Sequence, residues 1–145
     1  MTASETHGRR AAREAALQML YQSEVGRAGA VESIATYWPA REPDEQLDEP
    51  LREFANSLVR GSLERRDEID ALLTRHTQNW RIERMTVIDR LVLRLGVYEM
   101  LAEAETPSKV IINEAIELAR SYSGEEAVGF VNGVLDAVRK ELRRS

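Results

Sequence analysis

The chain has 145 residues, of which 43% are hydrophobic and 31% charged, an ordinary balance for a single globular domain over 1–145. It contains no cysteine, which excludes disulfides, thiolate metal sites and cysteine nucleophiles, and its two histidines offer no zinc-ligand spacing. The start of the chain lacks the apolar stretch of a signal peptide, and no run approaches the roughly 20 apolar residues of a membrane span. We expect a cytoplasmic protein without a metal or cofactor.

The net charge of −5 is distributed unevenly, so it does not argue against a nucleic-acid partner. Acidic side chains concentrate in the stretch 42–49, whereas Arg9, Arg10 and Arg13 crowd a short segment near the N-terminus. A second basic cluster lies in 139–144. Local clusters matter more than the sum because salt screens exposed charges beyond about 8–10 Å.

Apolar spacing predicts the elements of the first half of the chain. They are a disordered leader over 1–8, a helix over 9–25, a short helix over 31–38, an acidic loop over 39–49 and one long helix over 50–73. Gly26 and Pro39 end the first two helices, and Pro50 suits the first position of the third. Val31 is expected on the inner side of the short helix, and Trp38 and Trp80 in the core or at its rim.

The second half is predicted to begin with the helix that lies at the centre of the bundle. Thr86 and Asp89 resemble a capping box, and the residues 88–101 behind them are apolar on more than one face. A further amphipathic helix begins after Pro107, and Glu114 is expected on its solvent face.

The last segment allows two local structures. Asn132-Gly133 between apolar pairs is a strong hairpin signal, but Val131, Val134, Leu135 and later residues also form a helical stripe. A lone hairpin is marginal in water, and no other strand signal offers it a partner. We therefore predict a helix, which makes the fold all-α with six to seven helices.

The arginines near the N-terminus require an explanation beyond helix stability. Cations in a first helical turn oppose the helix dipole, by roughly a few tenths of a kcal/mol each. A bound polyanion would neutralise Arg9, Arg10 and Arg13 and accept backbone N–H groups of the same turn. The cluster alone is equally consistent with a solvated basic face or a flexible leader.

Candidate catalytic groups are weaker. The carboxylates of Glu114 and Glu117 sit on a predicted solvent face, and His76 has no nucleophile placed to use it. Phe130 suits either the core or stacking on an unpaired base. We expect no catalytic residue and no enzymatic activity.

Four sequence blocks together resemble the NusB transcription antitermination factors. They are RRAAREAALQMLYQ at 9–22, IDRLVLRLGVYE at 88–99, KVIINEAIELA at 109–119 and FVNGVLD at 130–136. The blocks agree in order and spacing over nearly the whole chain, and the acidic loop is the weakest part of the match. Four blocks in register are far more specific than any one motif.

The resemblance implies a fold, a ligand and partners. The fold would be two three-helix halves packed together. The ligand would be boxA-type single-stranded RNA of ribosomal leader transcripts, bound jointly with the small-subunit ribosomal protein NusE. The pair would join an RNA polymerase elongation complex with other Nus factors and suppress termination. A homodimer that hides the arginine helix is left open.

The resemblance also implies site residues on one shared surface. The implied RNA contacts are Arg9, Arg10, Arg13, Lys109 and Phe130. The implied partner-protein contacts are Tyr21, Glu83 and Asp89. Two positions depart from the family pattern, since Ala11 and Gly129 stand where members often carry a basic residue. The contacts near the N-terminus are therefore the firmer expectation.

Two alternatives are weaker. Related helical domains precede rRNA cytosine methyltransferase domains, but such an enzyme needs a catalytic cysteine and a Gly-rich methyl-donor site, which this sequence lacks. A helical DNA-binding regulator needs a basic recognition helix, and the helices after Leu51 are mixed or acidic on their predicted exposed faces.

Overall fold

The computed structural model describes residues 3–77 and 82–145, with side chains over 7–77 and 84–145 and at Ile82. Within these ranges every regular element is helical, which confirms the all-α prediction. The helices are α1 (Ala3–Gly26), α2 (Ala30–Tyr37), α3 (Glu49–Glu64), α4 (Arg66–His76), α5 (Val87–Ala102), α6 (Ser108–Tyr122) and α7 (Val128–Glu141). Short 3-10 turns lie in the connections, at Trp38–Ala40, Pro43–Glu45, Ile82–Arg84 and Glu125–Ala127. Trp80 lies outside the described residues.

The chain divides into two compact units, Met1–Leu63 and Glu64–Ser145. The first contains α1 to α3 and the second α4 to α7, so the halves hold three and four helices rather than three each. The extra helix arises because the long helix predicted over 50–73 is broken at Arg65, whose φ of −102° and ψ of 20° are not helical. The Arg65 carbonyl accepts the first hydrogen bond of α4, from Ile69 N at 2.9 Å.

In the N-terminal unit, α1 buries the predicted apolar stripe, including Ala12, Ala16 and Leu20. The helix begins at Ala3 rather than Arg9, so the expectation of a disordered leader is wrong for residues 3–8. These residues include no large apolar side chain and show no apolar stripe, which is why periodicity does not detect their helix. The structure brings Gly8 against α3, since a Cβ there would lie 2.7 Å from Leu51 Cδ1.

The short helix α2 buries a different face from the predicted one. Val31 is 82% exposed, whereas Ser33 and Tyr37 are buried. The Tyr37 hydroxyl donates to Gln18 on α1 at 2.5 Å. Trp38 is buried as well, and its indole N–H donates to Asn56 on α3 at 2.8 Å. The hydrogen bonds of Tyr37 and Trp38, rather than burial of Val31, therefore determine which face of α2 is buried.

In the C-terminal unit, α5 is the central helix, as predicted, and contacts α4, α6 and α7. Thr86 caps it, because the Asp89 N–H donates to Thr86 Oγ1 at 3.2 Å. Arg94 is buried within it and donates to Asp70 of α4 from Nε at 2.8 Å and from Nη2 at 2.9 Å. Gly96 allows α7 to approach closely, since a Cβ there would lie 2.9 Å from Leu135 Cδ1.

Two further expectations concern this unit. The last segment forms α7 and not a hairpin, with Asn132 and Gly133 both exposed on the helix surface. Glu114 was expected on a solvent face, but it is buried, with 5% of its surface exposed. That prediction failed because α6 packs against both α5 and α7, which together cover more of its circumference than one apolar stripe. Across the described residues, no helix is both long and apolar enough to span a bilayer.

Candidate nucleic-acid interface

The arginines of α1 lie well inside the helix and not in its first turn. Because α1 begins at Ala3, at least one helical turn precedes Arg9. The backbone N–H groups of Arg9, Arg10 and Arg13 therefore lie beyond the first turn, which is the part of a helix whose N–H groups lack an intrahelical partner. The argument that these arginines oppose the dipole and surround unsatisfied N–H groups therefore does not apply. Any anion bound here must be recognised by the side chains themselves.

Phe54 on α3 is the ring on which two of these arginines converge. The Arg9 Cζ lies 3.9 Å from the centroid of the Phe54 ring, and the Arg13 Cζ lies 5.5 Å from it. Both distances fall within the range of cation–π attraction. The contact is possible because α1 passes close to α3 at Gly8, the residue directly before Arg9.

The two arginines differ in their access to solvent. Arg13 is buried, with only 3% of its surface exposed, whereas Arg9 and Arg10 are half-buried. In the part of the chain that the structure describes, no carboxylate pairs with Arg9, and its buried Nε has no hydrogen-bond partner. Arg9 and Arg10 are therefore more accessible to solvent than Arg13.

The remaining positions named from the resemblance lie on different elements. Tyr21 on α1 is 43% exposed, which suits a contact residue. Lys109 is exposed in the first turn of α6. Glu83 belongs to the 3-10 turn Ile82–Arg84, but its side chain lies outside the described residues.

Asp89 and Phe130 are brought together around a cavity of the C-terminal unit, which has a volume of about 430 Å³. The cavity is lined by Arg84, Met85, Thr86, Asp89, Ser123, Glu126, Ala127 and Phe130. The Asp89 Oδ1 atom is buried and accepts no hydrogen bond from any described residue. A buried carboxylate oxygen without a donor is unfavourable by itself, so it favours a ligand that donates an N–H or O–H group. Lys109 is not among the lining residues.

A tight turn between α6 and α7 positions half of the residues that line this cavity. Gly124 has a φ of 138°, which only glycine adopts without strain, and its N–H donates to Ala119 O at 2.9 Å to end α6. The chain then passes through the 3-10 turn at Glu125–Ala127 directly into α7. Glu126 and Phe130 thereby reach the cavity that Thr86 and Asp89 line from the start of α5.

Sequence reasoning missed three contributors to these sites. Phe54 lies within the long helix predicted over 50–73, and nothing in its spacing distinguishes a ring that contacts arginines from one that packs against leucines. Arg84 and Glu126 lie just before two of the four sequence blocks, and each is within five residues of Asp89 or Phe130 along the chain. That short distance is the one signal that would have found them.

The resolved shifts of pKa all lie away from these sites. The largest concerns Glu141 on α7, whose pKa is lowered to about 2, first by hydrogen bonds from Arg75 and then by one from His76. The His76 Nε2 atom lies 2.6 Å from Glu141 Oε1, which places His76 in an ion-pair cluster at the end of α4. Among the described residues, no group of three potential ligands is arranged to hold a metal.

The fold is that of a small all-α protein in which cationic and aromatic side chains lie close together on α1 and α3. The NusB family model matches residues 10–140. A transcription antitermination protein NusB of Myxococcus xanthus is 46% identical over 136 residues, which cover 94% of this chain and 97% of that protein. One from Solibacter usitatus is 47% identical over 92% of this chain and 90% of its own. The chain belongs to the NusB family.

Solved structures agree with this assignment. T. maritima NusB superposes with a TM-score of 0.81 at 37% identity, over 92% of this chain and 91% of that one. A crystal structure of antitermination factors NusB and NusE in complex with dsRNA contains a chain that matches with a TM-score of 0.82 at 27% identity. That match covers 93% of this chain and 98% of the other.

Proposed function

We propose that this protein is a cytoplasmic transcription antitermination factor that binds boxA-type single-stranded RNA of ribosomal leader transcripts together with NusE. The pair would act within an RNA polymerase elongation complex that contains other Nus factors. Family membership supports antitermination, and the structural relative solved with NusE and RNA supports the two kinds of partner. The protein would act by binding alone, without catalysis.

The observation that carries the RNA-binding proposal is the state of Arg9. It is a half-buried cation, without a described carboxylate partner, held on the face of Phe54. A phosphate can supply the missing negative charge, because guanidinium groups bind phosphate through paired N–H donors. Arg10 next to it and Lys109 on α6 are the further proposed cationic contacts.

The cavity of the C-terminal unit supports the remaining contacts. The Phe130 ring is half-buried at its lining, and such a ring can stack on an unpaired base while presenting its other side to the protein. The buried, unpartnered Asp89 Oδ1 can accept a hydrogen bond from a donor of NusE. Tyr21 and Glu83 are proposed to contact NusE as well.

Similarity to antitermination proteins favours this function over a methyltransferase-related one. The match covers 97% of the Myxococcus xanthus protein, whose name is that of a transcription antitermination protein. Among the described residues, no contact favours a DNA-binding regulator.

The test is a binding titration of a boxA-like RNA, a scrambled RNA and a duplex DNA, each over a salt series, with and without NusE. We expect tightest binding to the boxA-like RNA, tighter still with NusE. Arg9→Ala should weaken that binding by roughly tenfold and lower the salt slope by about one. Arg66→Ala is the matched control, because Arg66 is an exposed arginine of α4 outside both sites. Equal affinity for all three nucleic acids would overturn the proposal.

A further inference from the structure

We infer that Phe54 is a positioning residue for RNA recognition, which acts by holding the Arg9 guanidinium in the orientation that binds phosphate. This inference rests on the proposed RNA binding. Phe54 itself need not touch RNA, since its ring is occupied by Arg9 at 3.9 Å and approached by Arg13 at 5.5 Å.

The geometry of a guanidinium group explains how a ring can hold it without blocking it. The group is planar, and its N–H donors point outward in that plane. Stacking on an aromatic face therefore covers one face of the group and leaves the in-plane donors able to bind an anion. The Arg9 Nε is buried and has no hydrogen-bond partner among the described residues, so the donors expected to bind an anion are those of the two terminal nitrogens.

Holding the side chain in advance should strengthen binding. A long, flexible arginine loses rotamer freedom when it binds phosphate, and part of that loss is already incurred when the side chain rests on a ring. A charged partner such as a carboxylate would also hold Arg9, but it would neutralise the charge that phosphate needs. An aromatic ring fixes the cation and leaves its charge in place.

Two neighbours of Phe54 support the same arrangement. Gly8 lets α1 approach α3 so closely that a Cβ would lie 2.7 Å from Leu51 Cδ1, which brings the next residue, Arg9, over the ring. Arg13 lies on the buried side, with 3% of its surface exposed, so the position open to solvent at this ring is that of Arg9. The ring thus has one buried and one accessible cation.

The test compares Phe54→Leu, which removes the ring but keeps an apolar side chain, with Phe54→Tyr, which keeps the ring. We expect Phe54→Leu to weaken binding of the boxA-like RNA by roughly 3–10-fold, the range of a partly desolvated cation–π contact. Phe54→Tyr should bind within about twofold of the unmodified protein. Circular dichroism and thermal unfolding should be measured to check that each variant is folded.

A double-mutant cycle with Arg9→Ala distinguishes positioning from a general structural effect. If Phe54 acts through Arg9, Phe54→Leu should cause almost no further loss of RNA affinity in the Arg9→Ala protein. Equal losses in both backgrounds would overturn the inference, as would unchanged binding by Phe54→Leu when Arg9→Ala weakens binding. If the unmodified protein showed no preference for the boxA-like RNA, the proposed function would fail instead, so the two failures are distinguishable.

Discussion

Arg94 and Arg75 in the C-terminal unit have a different kind of partner from Arg9 in the N-terminal unit, where other arginines, such as Arg60, also pair with a carboxylate. In the C-terminal unit, Arg94 and Arg75 are matched by carboxylates, Asp70 and Glu141, so their charge is used within the fold. In the N-terminal unit, Arg9 rests on an aromatic ring and no described carboxylate neutralises it. Arginine content alone therefore does not locate a binding surface. We expect the chemical nature of each arginine's partner to be the better guide.

The largest expected effect is that of breaking the ion pair between Arg94 and Asp70 in the C-terminal unit. Arg94→Met should leave Asp70 without its partner and lower the free energy of unfolding by about 2–3 kcal/mol, less than a fully buried pair because Asp70 is partly exposed. Urea denaturation measures this change. The variant's salt slope for RNA binding should be unchanged, and a lowered slope would show that the carboxylate-paired arginines also serve the ligand.

Arg13 sharpens the comparison within the N-terminal unit. It is buried beside the same ring as Arg9, so Arg13→Ala should destabilise the fold by about 1–3 kcal/mol through lost packing and the lost contact with the Phe54 ring. Its effect on the salt slope should be well below the change of about one expected for a phosphate contact. A slope reduced by one at unchanged stability, measured on the same samples, would place Arg13 with Arg9 as a direct contact.

The smallest expected effect concerns the cluster of Arg75, His76 and Glu141. The pKa of Glu141 is lowered from 4.5 to about 2, so its ion pairs stabilise the folded state above pH 4.5 and lose that effect as the pH falls towards 2. Glu141→Gln should lower the Tm by about 1–3 °C at pH 7. The difference from the unmodified protein should disappear near pH 2.

Glu105→Gln is the control for that series, because Glu105 is exposed and makes no described ion pair. Its Tm should follow the unmodified protein at every pH. If the Tm of Glu141→Gln also equalled that of the unmodified protein at every pH, the cluster of Arg75, His76 and Glu141 would contribute nothing to stability.

Periodicity and capping predicted most helices because both depend on neighbours along the chain. The stripe of α1, the Thr86 cap and the choice of helix over hairpin for α7 are all confirmed. The break at Arg65 was not foreseen because no glycine or proline marks it, and the apolar spacing continues on both sides. Helix faces were harder to predict, as Val31 and Glu114 show, because burial depends on which helices pack against them.

The candidate sites were predictable only in part, for the same reason. The resemblance indicated Asp89 and Phe130, and the structure places both at one cavity. It also indicated Arg9 and Arg13 as equivalent contacts, whereas the structure buries one and leaves the other accessible. That difference depends on Phe54, some forty residues further along the chain, and sequence spacing contains no information on such a contact.

The close approach of α5 and α7 has a consequence for how this sequence can vary. A Cβ at Gly96 would lie 2.9 Å from the Cδ1 of Leu135, a side chain that is fully buried and has little room to move. A larger residue at 96 therefore requires a smaller one at 135, and neither change is expected to be accepted alone. In sequence drift and in redesign, positions 96 and 135 must therefore change together.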